Sequence, residues 1–199
     1  MNVIRRRAIV ARALGGSALA VGASVTAFLA ACLPDTPIDV IGRSSVQALL
    51  WPLAPVFLAA CVPASLAWQA RPQEQTSPRP HLELAARYVG LLAVACAVVV
   101  AVTPIDHRAV IVRNLLLLIG MGLASARWLR SGAAWVPVIL LSIITWLFGT
   151  QLGGEPEPWA VLLAPRGDDL ARTASATVLA AGVVSLLVGI RTAQGGDRW

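Results

Sequence analysis

Lysine is missing altogether from this chain, and all sixteen of its basic residues are arginine. Charge of either sign is scarce: charged residues make up 13% of the sequence, against about a quarter in an ordinary soluble domain. Cysteine is limited to Cys32, Cys61 and Cys96, all within or at the edge of apolar runs. Their spacing suits neither a metal site nor an obvious disulfide. The two histidines, His81 and His107, stand alone in separate loops and read as ordinary surface residues. Nucleotide-binding GxxxxGKS/T, zinc-binding HExxH, the GxSxG elbow and paired-cysteine motifs are all absent. Nucleotide hydrolysis by this chain itself is therefore excluded. No catalytic residue, cofactor-binding residue, metal ligand or cofactor is expected, and the chain does not read as an enzyme.

What remains is apolar. Hydrophobic residues are 57% of the chain and the mean hydropathy is +0.74. A 199-residue soluble core could not hide so much apolar surface, so lipid is the expected solvent. The net charge of +6 would suggest nucleic acid in a soluble protein. Here the arginines sit between apolar runs, where they act as topology determinants, and no nucleic-acid partner is expected.

A helix needs about 20 largely apolar residues to cross a bilayer. Six stretches qualify, at about 11–33, 46–68, 86–103, 109–128, 134–152 and 170–190. The expected fold is all-α, a single polytopic domain of six transmembrane helices over 1–199. Six crossings divide the ends and loops into two sets. One set holds both termini, the loop after span 2 and the turn after span 4, with eleven arginines against three acids. The other holds five arginines against seven acids. The arginine bias puts both termini in the cytoplasm of a multi-pass cell-membrane protein. Trp51, Trp68, Trp128, Trp135 and Trp146 lie near span ends and Tyr88 begins span 3, as amphipathic rings at the headgroup level should. Pro137 falls in the first turn of span 5, where a missing N–H is harmless. Pro52, Pro55 and Pro63 make span 2 the least regular helix.

Span 4 contains Arg113 and Asn114. Entering from the outside near Ala109, it carries Arg113 about 6 Å deep at 1.5 Å per residue, within snorkelling reach of the interface. Helical phase also puts Arg113 on one face with Gly120, Ala124 and Arg127, and with Asp106 if the helix starts early. Arg113, Asn114 and Asp106 form a candidate outer-vestibule or clamp group, with Arg113 paired to Asp106. In span 6, Thr173, Thr177, Ala181, Ser185 and Gly189 recur every four residues, a candidate helix-packing seam between helices or subunits.

Leu29-Ala30-Ala31-Cys32 reads as a lipobox after a basic start. FLAACVP at 57–63 repeats FLAACLP at 28–34 inside span 2, so such strings arise cheaply here, and residues before Cys32 are expected to stay attached. The outer segment GGEPEPWAVLLAPRGDD breaks helix 5 at Pro156 and Pro158. Its Trp159–Ala164 run is too short to cross and fits a short interfacial or re-entrant helix. The inner loop 69–87 starts Pro- and Gln-rich, and HLELAAR then opens a helix running into span 3. No acid lies in the middle of any span, which disfavours ion-coupled transport.

Six spans, a cytoplasmic N-terminus, an inner loop between spans 2 and 3 and a short apolar segment between spans 5 and 6 resemble the membrane subunit of an ABC-2-type exporter. The resemblance is one of architecture. It implies a permease-like subunit in membrane lipid, energised by a separate cytoplasmic ATPase and working with a second membrane subunit. A non-transport accessory or assembly protein, packed against a membrane partner, is the alternative the same residues allow.

Overall fold

The structure, a computed structural model, describes residues 3–33, 38–40, 43–69, 80–129, 133–152 and 154–195. It is mostly helical. The elements run α1 (Val3–Cys32), β1 (Ile38–Val40), β2 (Arg43–Ala48), a 3-10 turn (Trp51–Leu53), α2 (Val56–Gln69), α3 (Pro80–Val102), α4 (Ile105–Trp128), α5 (Val136–Phe148) and α6 (Asp169–Gly195). Each of the six helices overlaps one of the six apolar stretches, α2 only over the later part of its own. By length and composition one of them, over Ile105–Ala126, is on its own sufficient to cross a membrane; other apolar helical runs among the described residues are shorter.

One short hairpin interrupts the helical fold. Ile38 pairs with Ala48, Asp39 with Gln47 and Val40 with Arg43, antiparallel, with an irregularity after Asp39. The second span therefore does not begin at 46. Residues 38–48 carry β-branched side chains and an alternation that buries Val40, Val46 and Ala48 against Trp146 and Leu147 of α5. Gln47 Nε2 donates to Asp39 Oδ1 at 3.0 Å across the ladder. Chain direction then reverses through prolines: Pro52 opens the 3-10 turn, and Pro55 precedes α2. Pro63 sits inside α2, as the irregular second span suggested. The orphan N–H of Leu58 in the first turn of α2 donates to the buried Thr26 hydroxyl of α1 at 3.1 Å.

α2 and α4 form the centre. Leu58, Val62, Ile111, Leu115 and Leu118 are essentially inaccessible, with Leu162 from the loop before α6 packed among them. α1 packs on α2 and α3, and its Ala23 and Ala30 lie in the same core. α6 packs on α4 at near backbone contact. A methyl group at Gly182 would overlap the Gly120 carbonyl oxygen and stand 2.9 Å from its carbon. One at Gly120 would stand 2.5 Å from the Leu179 Cα. Only glycine permits this approach. α3 begins at Pro80, so HLELAAR is helical as expected. The Pro- and Gln-rich half of that loop, 70–79, lies outside the described residues. Pro137 occupies the first turn of α5.

Candidate functional site

α4 opens on Pro104, whose extended backbone precedes the helix. His107 and Asn114 are seven residues apart and so share one face, with Arg113 one position round. That face meets the 3-10 turn and the segment before α6.

The segment 157–168 is not a helix. It is a series of tight turns, with Leu163 N bonded to Ala160 O at 2.8 Å and Asp168 N to Pro165 O at 3.2 Å. The expected interfacial helix over Trp159–Ala164 is thus corrected: Pro158 and Pro165 bound too few residues to sustain one. Trp159 is exposed, while Ala160, Leu162 and Ala164 are buried. Several of its carbonyls accept bonds within the segment, and α4 donates to those of Leu162, Ala164 and Pro165. Arg113, 5% exposed, donates from Nη2 to Ala164 O at 2.8 Å and from Nη1 to Pro165 O at 3.0 Å. Its Nε donates to Asn114 Oδ1 at 3.1 Å. That bond orients the Asn114 amide, whose Nδ2 donates to Pro52 O and Leu162 O, both at 2.7 Å. Two adjacent residues therefore bind four carbonyls from two segments 110 residues apart in sequence, the 3-10 turn and the turns before α6. Both guanidinium edges and both amide protons are used, which fits Arg and Asn and few other side chains.

This corrects the expected Arg113–Asp106 pair. Asp106 is exposed in the first turn of α4, and the guanidinium bonds run the other way. The acid whose charge acts on Arg113 is Asp168. Asp168 also caps α6, accepting from Ala171 N at 3.0 Å. Arg113 and Asn114 are brought together as a clamp, and Asp106 is not part of it.

About two turns away along α4, Trp51 stacks on His107 with ring centroids 3.9 Å apart and planes 13° from parallel. His107 is thus no isolated surface residue. The Trp51 indole is buried, and its Nε1 meets no acceptor among the described residues. Its neighbour Arg108 caps the end of α3, donating from Nε to Thr103 O at 2.9 Å.

The expected stripe on α6 is not the face that meets α4. Thr173, Thr177 and Ala181 are exposed, Ser185 is half-buried, and the surroundings of Gly189 are outside the description. The face that meets α4 runs through Ala171, Ser175, Val178 and Gly182, spaced four, three and four apart. A strict four-residue repeat winds about 40° per step around a helix of 3.6 residues per turn. Alternating threes and fours hold a constant face. The exposed threonines satisfy themselves, Thr173 donating to Leu170 O and Thr177 to Thr173 O. On α4 the expected packing residue Gly120 does sit in the seam. Among the described residues no cluster of His, Cys, Asp or Glu is arranged to hold a metal.

Compared with protein families, with characterised proteins and with solved structures, the chain matches none.

Proposed function

We propose that the chain is a multi-pass membrane protein whose six helices are six crossings, with both termini cytoplasmic. The observation that carries this is an apolar exterior around a core that also holds polar side chains. Buried positions include Arg113, Asn114, Thr26, Ser142 and Ser175, while Phe28, Phe57, Val94, Val98, Leu140, Ile143 and Phe148 face outward. Lipid tolerates that arrangement and water does not. Non-helical backbone at membrane depth must be buried and paired, because no water is there to bond it. Arg113 lies about 12 Å along α4 from Ile105, and the carbonyls it binds are of this kind. α5 covers 13 residues, only about 20 Å at 1.5 Å per residue. The buried turns of 160–164 fill outer depth that α5 leaves open. Alkaline carbonate should leave the chain in the membrane pellet. Release into the supernatant would contradict the proposal.

For its role we propose a permease-like subunit of an ABC-type exporter, embedded in lipid and energised by a separate cytoplasmic ATPase, with a second membrane subunit completing the assembly. The helix count supports it, as do the helical approach to α3 on the inner side and the folded segment between α5 and α6. A non-transport accessory protein is the second reading, favoured by the α4–α6 seam, which is closed at backbone contact. Purification in mild detergent separates the two. A stoichiometric ATP-hydrolysing subunit supports the exporter, and a membrane partner without ATPase supports the accessory role.

A further inference from the structure

The turns of 157–168 lie across the outer end of the bundle, against the 3-10 turn and α4. The two ends of this segment are tied to their neighbours, Glu157 N to Gly149 O after α5 and Arg166 and Asp168 to α6, while its middle is held from α4. Two α4 residues supply the bonds from Asn114 Nδ2 to Leu162 O, and from Arg113 to Ala164 O and Pro165 O. No acid locks Arg113 directly; its bonded acceptors are neutral. Trp51, next to the Pro52 that shares Asn114 with Leu162, is a buried indole donor that meets no acceptor among the described residues. The closed arrangement is thus not the one that satisfies every donor, and opening to water or solute would supply the missing acceptor. The buried anchors of the segment are small, with Leu162 the largest of Ala160, Leu162 and Ala164.

We propose that residues 157–168 are a releasable outer strap, latched by Arg113 and Asn114, whose opening hydrates a vestibule between the 3-10 turn and α4. The proposal rests on the membrane reading for what is outside. The latch is one-sided: the hydrogen bonds from α4 go to carbonyls of the strap and not to its side chains. Once released, its carbonyls reach headgroup water and the guanidinium faces a wetted cleft.

The test is thiol accessibility in a chain whose Cys32, Cys61 and Cys96 are replaced by Ser. Leu162→Cys, introduced at a site 1% exposed, should react slowly with a membrane-impermeant maleimide. Adding Asn114→Ala or Arg113→Gln should speed labelling about tenfold or more, since each removes buried bonds of the latch. Ser175→Cys, buried in the α4–α6 seam, should stay protected in all backgrounds. Leu152→Cys, 73% exposed, should react quickly throughout. Fast labelling of Leu162→Cys without the latch mutations would overturn the strap. So would unchanged protection in both latch variants, or joint exposure of Ser175→Cys, which would make the pair a general fold contact. If Leu152→Cys reacts only after permeabilisation, the topology is wrong, and the same comparison in permeabilised membranes still decides the latch.

Discussion

At Gly182, replacement by alanine sets two physical effects against each other. Gly182 is inside α6, and helix propensity alone makes alanine more favourable there by about 1 kcal/mol. The seam argues the opposite way. The new methyl would overlap the Gly120 carbonyl oxygen and stand 3.0 Å from its Cα. Both obstacles are backbone, so no rotamer change relieves them, and α6 must move away from α4. Overpacking of this kind destabilises by about 1–3 kcal/mol. Because the obstacle is rigid, the upper part of that range applies, and the net loss after the propensity gain is about 1–2 kcal/mol. For a chain of this size that lowers the unfolding midpoint by about 2–8 °C. Gly90→Ala is the matched control. It makes the same change inside α3, where a methyl meets nothing within 4 Å, so only propensity acts and the midpoint should rise. The assay is thermal unfolding of both purified variants in one detergent. If Gly182→Ala is stabilised to the same degree as Gly90→Ala, the α4–α6 contact is not as close as described and the reasoning fails.

Other consequences follow from the same geometry. Ser175→Leu should sharply reduce the amount of folded protein, whereas Ala181→Leu, on the exposed face, should change monomer stability little; detergent-solubilised yield and unfolding midpoint check both. Arg113→Leu strands the Ala164 carbonyl and the Asn114 Oδ1, each worth about 1–3 kcal/mol when buried; membrane insertion should persist while stability falls well below that of Arg113→Lys. Asp106→Asn should match the parent in unfolding midpoint, and Asp168→Ala should lose about 1 kcal/mol through the α6 cap alone. Mass spectrometry of the purified chain should find residues before Cys32 still attached, because Leu19, Ala23 and Ala30 of α1 are core residues that cleavage would remove.

Helix positions were legible because apolar runs are punctuated by arginine and proline, and Pro137 and Pro63 fell where their chemistry suggested. The hairpin was not, because residues 46–48 run straight into the apolar second span and read as its start. Arg113 and Asn114 stood out as polar residues in an apolar run, but their partners did not, since backbone carbonyls leave no mark in a sequence. That is why an acid, Asp106, was expected in their place. The α6 stripe misled through its period: counting fours picks residues that wind away from a seam built of threes and fours. His107 could have been recovered, because its seven-residue spacing from Asn114 puts both on one face.

The central claim is a six-span bundle with both termini inside, and reporter fusions test it most directly. A reporter active only in the cytoplasm should be active when fused after Trp199 and silent when inserted near Gly154. Activity near Gly154 with silence after Trp199 would contradict the map, and with it the permease reading.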